Sequence, residues 1–376
     1  MENVLVVGVN TRAVACSLKR RGYNVYSADY FGVVDISPCA DQYKSFLGQT
    51  PGRSCGQFTN TFQSKAIEEL ASEFVDKADK IICLAGVSPE HFPRDKVMGN
   101  YQVQEVDDKY LLYQKLKNKF QIPDTFKVSS IGEAYEIAGN HLEKNFILKP
   151  RNGSGGYGIR EFNEEAQNVN NDLILQEKID GINLSASVLA TGGECKTILS
   201  SQQIIGDKNL YQREPFGYCG NITPYTDRKV NKNLMATSEE IIQDLGLVGS
   251  CGVDYIFKDN EIFLLEVNPR LQGTMECAEL SLNINMAEAH LEACQGNLMP
   301  VSRPVKFAVK MIVHSKTRSR TGDLDLPDVY DLPAQNVIIE EGEPVVTVIT
   351  ADEIRENALL KAHSTLEKVY NNLNPV

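Results

Sequence analysis

The sequence predicts a multidomain chain of mixed α/β and α+β class, with an N-terminal parallel-sheet domain ahead of an antiparallel body. Three observations support this. The first 86 residues alternate strand, helix and strand, the pattern of a doubly wound parallel sheet. From residue 145 onward short apolar runs recur at short intervals, as they do in antiparallel sheets. At 376 residues the chain is also too long for one small core and suits two or three packed domains.

Each element has its own warrant. Residues 3–9, NVLVVGV, are continuously apolar and end at a glycine, which reads as a strand buried on both faces. A helix from Ala13 to Arg21 follows, then a second strand at 24–29, a helix across 63–77 and a third strand at 80–86. Asp107 to Asn118 is helical and charged, Ile122-Pro123 breaks it, and residues 131–142 carry apolar residues at helical spacing. NFILKP, LILQEKI, SASVLA, CKTILSS, GVDYIF and EIFLLEV supply the strands of the body. A last module from about 302 carries FAVKMIVHS, NVIIEEGEPVVTVIT and a helix over 352–372.

Composition excludes several classes. A net charge of −12 argues against a nucleic-acid surface, which needs a concentrated Lys/Arg excess. No run of about 18 apolar residues predicts a membrane span, and MENVLVVGVN lacks the basic segment of a secretory signal. The nine cysteines form no CxxC pair, so reduced, mostly buried thiols in a cytoplasmic protein are expected. The five histidines are dispersed, and no Ser-His-Asp or Cys-His arrangement is evident. No GxxxxGK[ST] occurs, and the dinucleotide fingerprint fails because GVNTRA puts Asn10 where a pyrophosphate would approach. The loop can still hold a small anion at the helix N-terminus, with Arg12 assisting.

Two constellations carry chemistry. Lys149 ends an apolar strand and precedes Asn152-Gly153-Ser154-Gly155-Gly156-Tyr157-Gly158; such a loop can turn its N–H groups onto phosphate oxygens beside a lysine charge. Alone, a Gly-rich hairpin of this kind is unspecific. Downstream, Asp254 and Glu266 lie across a predicted hairpin turning at Lys258-Asp259-Asn260. Strand alternation places Glu266, Asn268 and Arg270 on one face. Two carboxylates and an amide oxygen suit Mg²⁺ carrying nucleotide phosphates, and the arginine suits a transferring phosphoryl group. A structural ion pair is the competing reading.

Together these residues resemble the ATP-grasp superfamily, over roughly residues 3–300. The resemblance implies an N-terminal pre-ATP-grasp domain (1–105), two α+β lobes holding ATP between them (106–300, the small lobe to about 178 and the large lobe from about 179), and a C-terminal module (301–376). That last module is similar to the one in biotin-carboxylase-like members. The resemblance assigns Lys109 and Lys149 to the nucleotide phosphates, with Gly153, Ser154, Gly155 and Gly156 as the flap. Glu177, Lys178 and Ile179 match the strand that reads the adenine edge. Asp254, Glu266 and Asn268 match the Mg²⁺ ligands, with Mn²⁺ as a substitute ion, and Arg270 the residue at the transferred phosphate. Many members carry a glutamate for the ribose where this chain has Asn183, and a later acidic position is Ser187. Arg213 and Lys208 are the candidates for a further basic residue at the γ-phosphate.

The implied reaction is ADP-forming ligation: a small-molecule carboxylate becomes an acyl phosphate, and an amine or similar nucleophile displaces phosphate. A bicarbonate-dependent carboxylase is the alternative enzyme, and a non-catalytic ATP-binding scaffold the alternative of another class. Asn10 to Arg12, Asp29, Pro215 to Thr223 and Gln272-Gly273-Thr274 are expected to shape the substrate pocket. A homodimer is expected by analogy with the family.

Overall fold

A computed structural model describes residues 1–163 and 172–376. The N-terminal sheet comprises β1 (Asn3–Gly8), β2 (Asn24–Asp29), β3 (Gln42–Ser45) and β4 (Lys80–Cys83). The strands run parallel in the order β3-β2-β1-β4. Helix α1 (Arg12–Arg20) follows β1, while the short α2 (Phe58–Thr61) and α3 (Ser64–Val75) lead into β4. Alternation along β1 explains why the sheet is covered twice. Val4 and Val6 pack with Val14 and Leu18 of α1, whereas Leu5 and Val7 pack with Ile67, Ala71 and Phe74 of α3. The thiol expectation needs correction here. Cys16 on α1 is disulfide-bonded to Cys39 and the other seven cysteines are free. Spacing gave no sign of this pair, because it is made by docking α1 on the turn after β2.

Helices α4 (Gln104–Asp107) and α5 (Lys109–Leu116) lead into a second sheet. This comprises β5 (Thr125–Lys127), β6 (Phe146–Pro150), β7 (Arg160–Glu161) and β8 (Leu173–Glu177), antiparallel in the order β5-β8-β6-β7. Helix α6 (Ile131–Gly139) lies between β5 and β6 in the chain, and its Ala134 joins Phe146, Leu148 and Leu175 in one small core.

The large sheet has eight antiparallel strands in the order β13-β12-β9-β10-β11-β14-β18-β16. Its first five in chain order are β9 (Ile182–Thr191), β10 (Cys195–Ile205), β11 (Tyr218–Thr223), β12 (Val248–Lys258) and β13 (Glu261–Asn268). Helix α7 (Arg228–Leu245) packs Leu234, Ile241 and Ile242 against them. After α8 (Met275–Leu282) and α9 (Met286–Cys294), β14 (Phe307–His314) pairs with β11 and so continues the same sheet. The C-terminal segment is therefore structurally continuous with the body. Three short strands, β15 (Ser319–Thr321), β17 (Ile338–Ile339) and β19 (Leu373–Pro375), form a separate small sheet, while β16 (Val329–Tyr330) and β18 (Pro344–Asp352) join the large one. NVIIEEGEPVVTVIT thus splits between two sheets at Gly342, whose φ of +80° makes the break. Helix α10 (Arg355–Asn371) buries Ala358, Ala362 and Val369 on this end. Among the described residues no helix is long and apolar enough to cross a membrane.

Candidate active site

The site begins with a β-bulge. Asp254 pairs with Glu266 but the next pair is Tyr255 with Leu264, so Leu265 is an extra residue on β13. A bulge re-aims the side chains beyond it. Ile262, Leu264 and Val267 all reach the core, and only the bulge lets Val267 do so while Glu266 and Asn268 turn to the opposite face beside Asp254. On that face Ser185 of β9 donates to Asp254 Oδ1 at 2.6 Å and the Asn268 amide to Oδ2 at 3.1 Å.

Two lysines converge on the pair from the small lobe. Asp108 caps α5 by accepting from the backbone N–H groups of Tyr110 and Leu111, and Arg151 pairs with that carboxylate. The cap fixes Lys109 at the first helical position. Its side chain is 7% exposed, and its Nζ donates to Gly153 O at 2.8 Å and lies 3.6 Å from Glu266 Oε2. Lys149 sits on β6 opposite in pleat to the core residues Phe146 and Leu148. It is 4% exposed. Burial pushes its ammonium down to about 8, Glu266 opposing and Lys109 reinforcing the shift. Arg270 Nη1 lies 3.5 Å from Asp107 Oδ1.

The carboxylates respond unequally. Burial raises the proton affinity of Asp254 and the facing Glu266 raises it further, against the Ser185 hydrogen bond. Glu266 stays acidic despite its burial, because Lys109, Lys149 and Arg270 all favour its charge. Two carboxylates placed side by side, one of them reluctant to ionise, are the electrostatic mark of a site that a cation completes. Among the described residues no cluster of three or more His, Cys, Asp or Glu forms a metal cage.

The flap is closed in this structure. Gly153, Gly155 and Gly156 have φ of +137°, +71° and +81°. A Cβ on Gly156 would meet Phe216 O at 1.8 Å, so the flap backbone lies directly on that segment. Gly155 O accepts from Tyr218 N at 3.0 Å, and Tyr157 packs on Phe58 of the N-terminal domain with ring centroids 5.3 Å apart.

Glu177, Lys178 and Ile179, expected at an adenine edge, lie at the end of β8 and ahead of β9. Glu177 ends β8 and its carboxylate is held by Lys144 at 2.9 Å. Lys178 pairs with Glu161 at 2.7 Å, and its backbone N–H donates to Asn145 O. Ile179 is half-buried, and Asn183 is half-buried on β9 opposite Ile256. Ser187 is buried on β9, its hydroxyl 3.3 Å from both Gln272 Oε1 and Thr274 Oγ1.

A cavity of about 340 Å³ adjoins the flap. Of the residues expected to shape a substrate pocket, Asn10, Arg12, Tyr218, Gln272 and Gly273 line it, whereas Thr11, Pro215, Thr223 and Thr274 do not; Ser154 and Gly155 of the flap join them. Three expectations need correction. Asp29 is not in the wall; it is buried as an acceptor for Thr11 Oγ1 and Gly32 N. Arg12 is not a free anion anchor, since Glu276 (2.7 Å), Asp331 (2.8 Å) and Asp35 (3.5 Å) surround it. Arg213 is 51% exposed, pairs with Glu341 and packs on Gly342, and Lys208 is exposed. Neither is among the cations that act on Glu266. Sequence reasoning missed Asp107, Ser185 and Lys310. Lys310 left a signal: it is a charge in the middle of FAVKMIVH, and its Nζ bonds Gly273 O at 3.0 Å and Glu276 at 3.1 Å.

Residues 106–274 match a family model described as an ATP-grasp domain, and that span contains both lysines, the flap and the carboxylate pair. The chain belongs to the ATP-grasp superfamily. A relative is the tyramine–L-glutamate ligase of Methanocaldococcus fervens, 26% identical over 63% of this chain and 72% of that one. An uncharacterized protein of Methanocaldococcus jannaschii is 30% identical over 93% of this chain and 88% of its own. Among solved structures, the biotin carboxylase domain dimer of Hydrogenobacter thermophilus 2-oxoglutarate carboxylase, in complex with MgADP, ADP and bicarbonate, superposes with a TM-score of 0.75. It is 16% identical, with 97% of this chain and 89% of that one covered. These matches establish the ATP-grasp fold and the ligase family.

Proposed function

We propose that this protein is an ADP-forming ligase that activates a small-molecule carboxylate with ATP and joins it to an amine. The observation that carries the reading is the convergence of Lys109, Lys149 and Arg270 on the Asp254–Glu266 pair, beside a glycine flap that borders the cavity. Mg²⁺ would be held by Asp254, Glu266 and the amide oxygen of Asn268, and when bound it neutralises charge on the nucleotide phosphates. Lys149 and Lys109 position the phosphates, the flap N–H groups cover them, and Glu177, Lys178 and Ile179 hold the base. A substrate carboxylate oxygen attacks the γ-phosphorus and the bond to the ADP oxygen breaks, giving an acyl phosphate. Arg270 stabilises the moving phosphoryl group. The amine nitrogen then bonds to the acyl carbon, inorganic phosphate leaves, and the nitrogen loses a proton.

The relative named tyramine–L-glutamate ligase supports this carboxylate–amine chemistry. The decisive experiment is ADP release from Mg-ATP with paired amino acids and amines. ADP formation should require both substrates and yield one amide per ADP. ADP formation that follows added bicarbonate instead would replace this reading with the carboxylase.

A further inference from the structure

From the make-up of the cavity wall we infer that the nucleophile is a primary amine with a compact apolar body, an aromatic ring above all, and that it carries no phosphate. This rests on the ligase reading and adds to it the chemical class of one substrate.

The apolar side of the wall comes from Val9, Tyr30, Phe31, Leu47, Phe58 and Tyr157. The rings form one cluster: Tyr30 meets Phe31 at 5.0 Å and Phe58 at 5.1 Å, and Phe58 meets Tyr157 at 5.3 Å between centroids. Ring edges and faces arranged in this way receive an aromatic or branched body. Because Tyr157 belongs to the flap, this part of the wall is complete only when the flap lies down.

The charged side comes from Arg12, Lys310, Glu276, Asp331 and Glu343. Both cations are already engaged. Glu276 bridges Arg12 at 2.7 Å and Lys310 at 3.1 Å, and Asp331 accepts from Arg12 at 2.8 Å. Asp35 stands behind Arg12 at 3.5 Å. The third basic side chain in the wall, His314, is neutral because burial pushes it down to about 4. The wall therefore carries more carboxylates than cations. A phosphate would meet surplus negative charge, whereas an ammonium would relieve it. Carboxylate oxygens retain acceptor capacity after one hydrogen bond each, and the aromatic faces favour a cation as well.

The acidic end also lies on the reaction side. Gln272, in the same wall, reaches Ser185 Oγ at 3.3 Å, and Ser185 donates to Asp254 at 2.6 Å. An amine at Glu276 would therefore share a wall with Gln272, which Ser185 links to Asp254, and its apolar body would lie in the ring cluster.

The test is calorimetry on the full chain with Mg-ADP present, using 2-phenylethylamine, its neutral analogue 2-phenylethanol, L-phenylalanine, glycine and ribose 5-phosphate. Phenylethylamine should bind about ten-fold or more tighter than the alcohol, as expected when a charge-assisted hydrogen bond is added. Glycine and ribose 5-phosphate should not saturate. The phenylalanine arm shows whether an α-carboxylate is accepted, and binding as tight as that of phenylethylamine extends the class to apolar amino acids. Glu276→Gln should erase the preference of amine over alcohol. Glu276 also holds Arg12 and Lys310, so Phe58→Ala serves as a second variant, expected to weaken amine and alcohol alike. Equal affinity for amine and alcohol, tighter binding of ribose 5-phosphate, or no saturable binding of either aromatic compound overturns the inference. ADP release driven by a phosphorylated or non-apolar amine would leave the ligase reading standing and sink this one. Aromatic amine binding with no ADP release in any substrate pair would sink the ligase reading, and leave the cavity an amine-binding site without the role of nucleophile.

Discussion

Asp254 and Glu266 stand directly opposite each other on neighbouring antiparallel strands, and Leu265 is the extra residue that turns Glu266 out of the core. The pair is costly without a cation, since each charge disfavours the other in a poorly solvated place. Lys109 at 3.6 Å from Glu266 offsets part of that cost.

Glu266→Gln should therefore separate function from folding. The amide keeps the shape, removes repulsion from Asp254 and weakens the hold on Mg²⁺. ADP formation is expected to fall by a factor of about 10² or more, the scale of losing a charge-stabilising group. The melting temperature should hold or rise. Both are measured on one preparation; an active but unstable variant would make Glu266 a structural ion-pair partner.

The Cys16–Cys39 bond closes a segment with a sequence separation of 23. A cross-link of this length stabilises by roughly 2–4 kcal/mol, mainly by restricting the unfolded chain. Cys16→Ser is expected to lower stability by that amount in denaturant unfolding and to leave nucleotide binding intact, because α1 lies outside the ATP-grasp lobes. Thiol titration of the denatured, unreduced protein should count seven free cysteines.

Acid should destabilise the protein through two buried histidines. His290 and His314 are both buried and pushed down to about 4 from an ordinary value of 6.5. With folded values depressed, the unfolded state takes up the protons first, so the stability they contribute is present above 6.5 and is lost as pH falls from there towards 4. By pH 5 each should cost about 2 kcal/mol. The drop in unfolding midpoint from pH 7 to pH 5 should shrink in His290→Asn and His314→Asn, which isolates the histidines from the raised carboxylates Asp254 and Asp35. Resonances assigned to His290 or His314 that titrate near 6.5 in the folded protein would contradict it.

How far these features were legible in the sequence depends on how local they are. The strands around Val4–Val7, the flap glycines and the Asp254–Glu266 hairpin follow from alternation and spacing, so they could be read directly. The bulge at Leu265 could not, since a one-residue register shift leaves no mark on composition. Arg12 looked like an anion anchor because Glu276 and Asp331, remote in sequence, are what neutralise it. The Cys16–Cys39 pair and the role of Lys310 likewise exist only once α1, α8 and β14 have packed together. Arg213 was plausible by type alone, and in the fold it is exposed and paired with Glu341.

The last prediction separates phosphoryl transfer from nucleotide holding. Arg270 and Lys149 both act on Glu266, yet their surroundings differ. Lys149 is enclosed on β6 with its ammonium pushed down to about 8 by burial, and a buried cation there is justified only by anionic partners at close range. Arg270 follows β13, remains partly exposed and rests 3.5 Å from Asp107, a partner it can leave for a phosphoryl oxygen. Arg270→Ala should bind Mg-ATP nearly as the parent does while losing a factor of about 10² to 10³ in substrate-dependent ADP formation. Lys149→Ala should instead weaken Mg-ATP binding itself. Calorimetric nucleotide affinity beside turnover distinguishes the two. Equal loss of ATP affinity in both variants would mean that Arg270 holds the ground-state nucleotide, and unchanged turnover in Arg270→Ala would remove it from the chemistry.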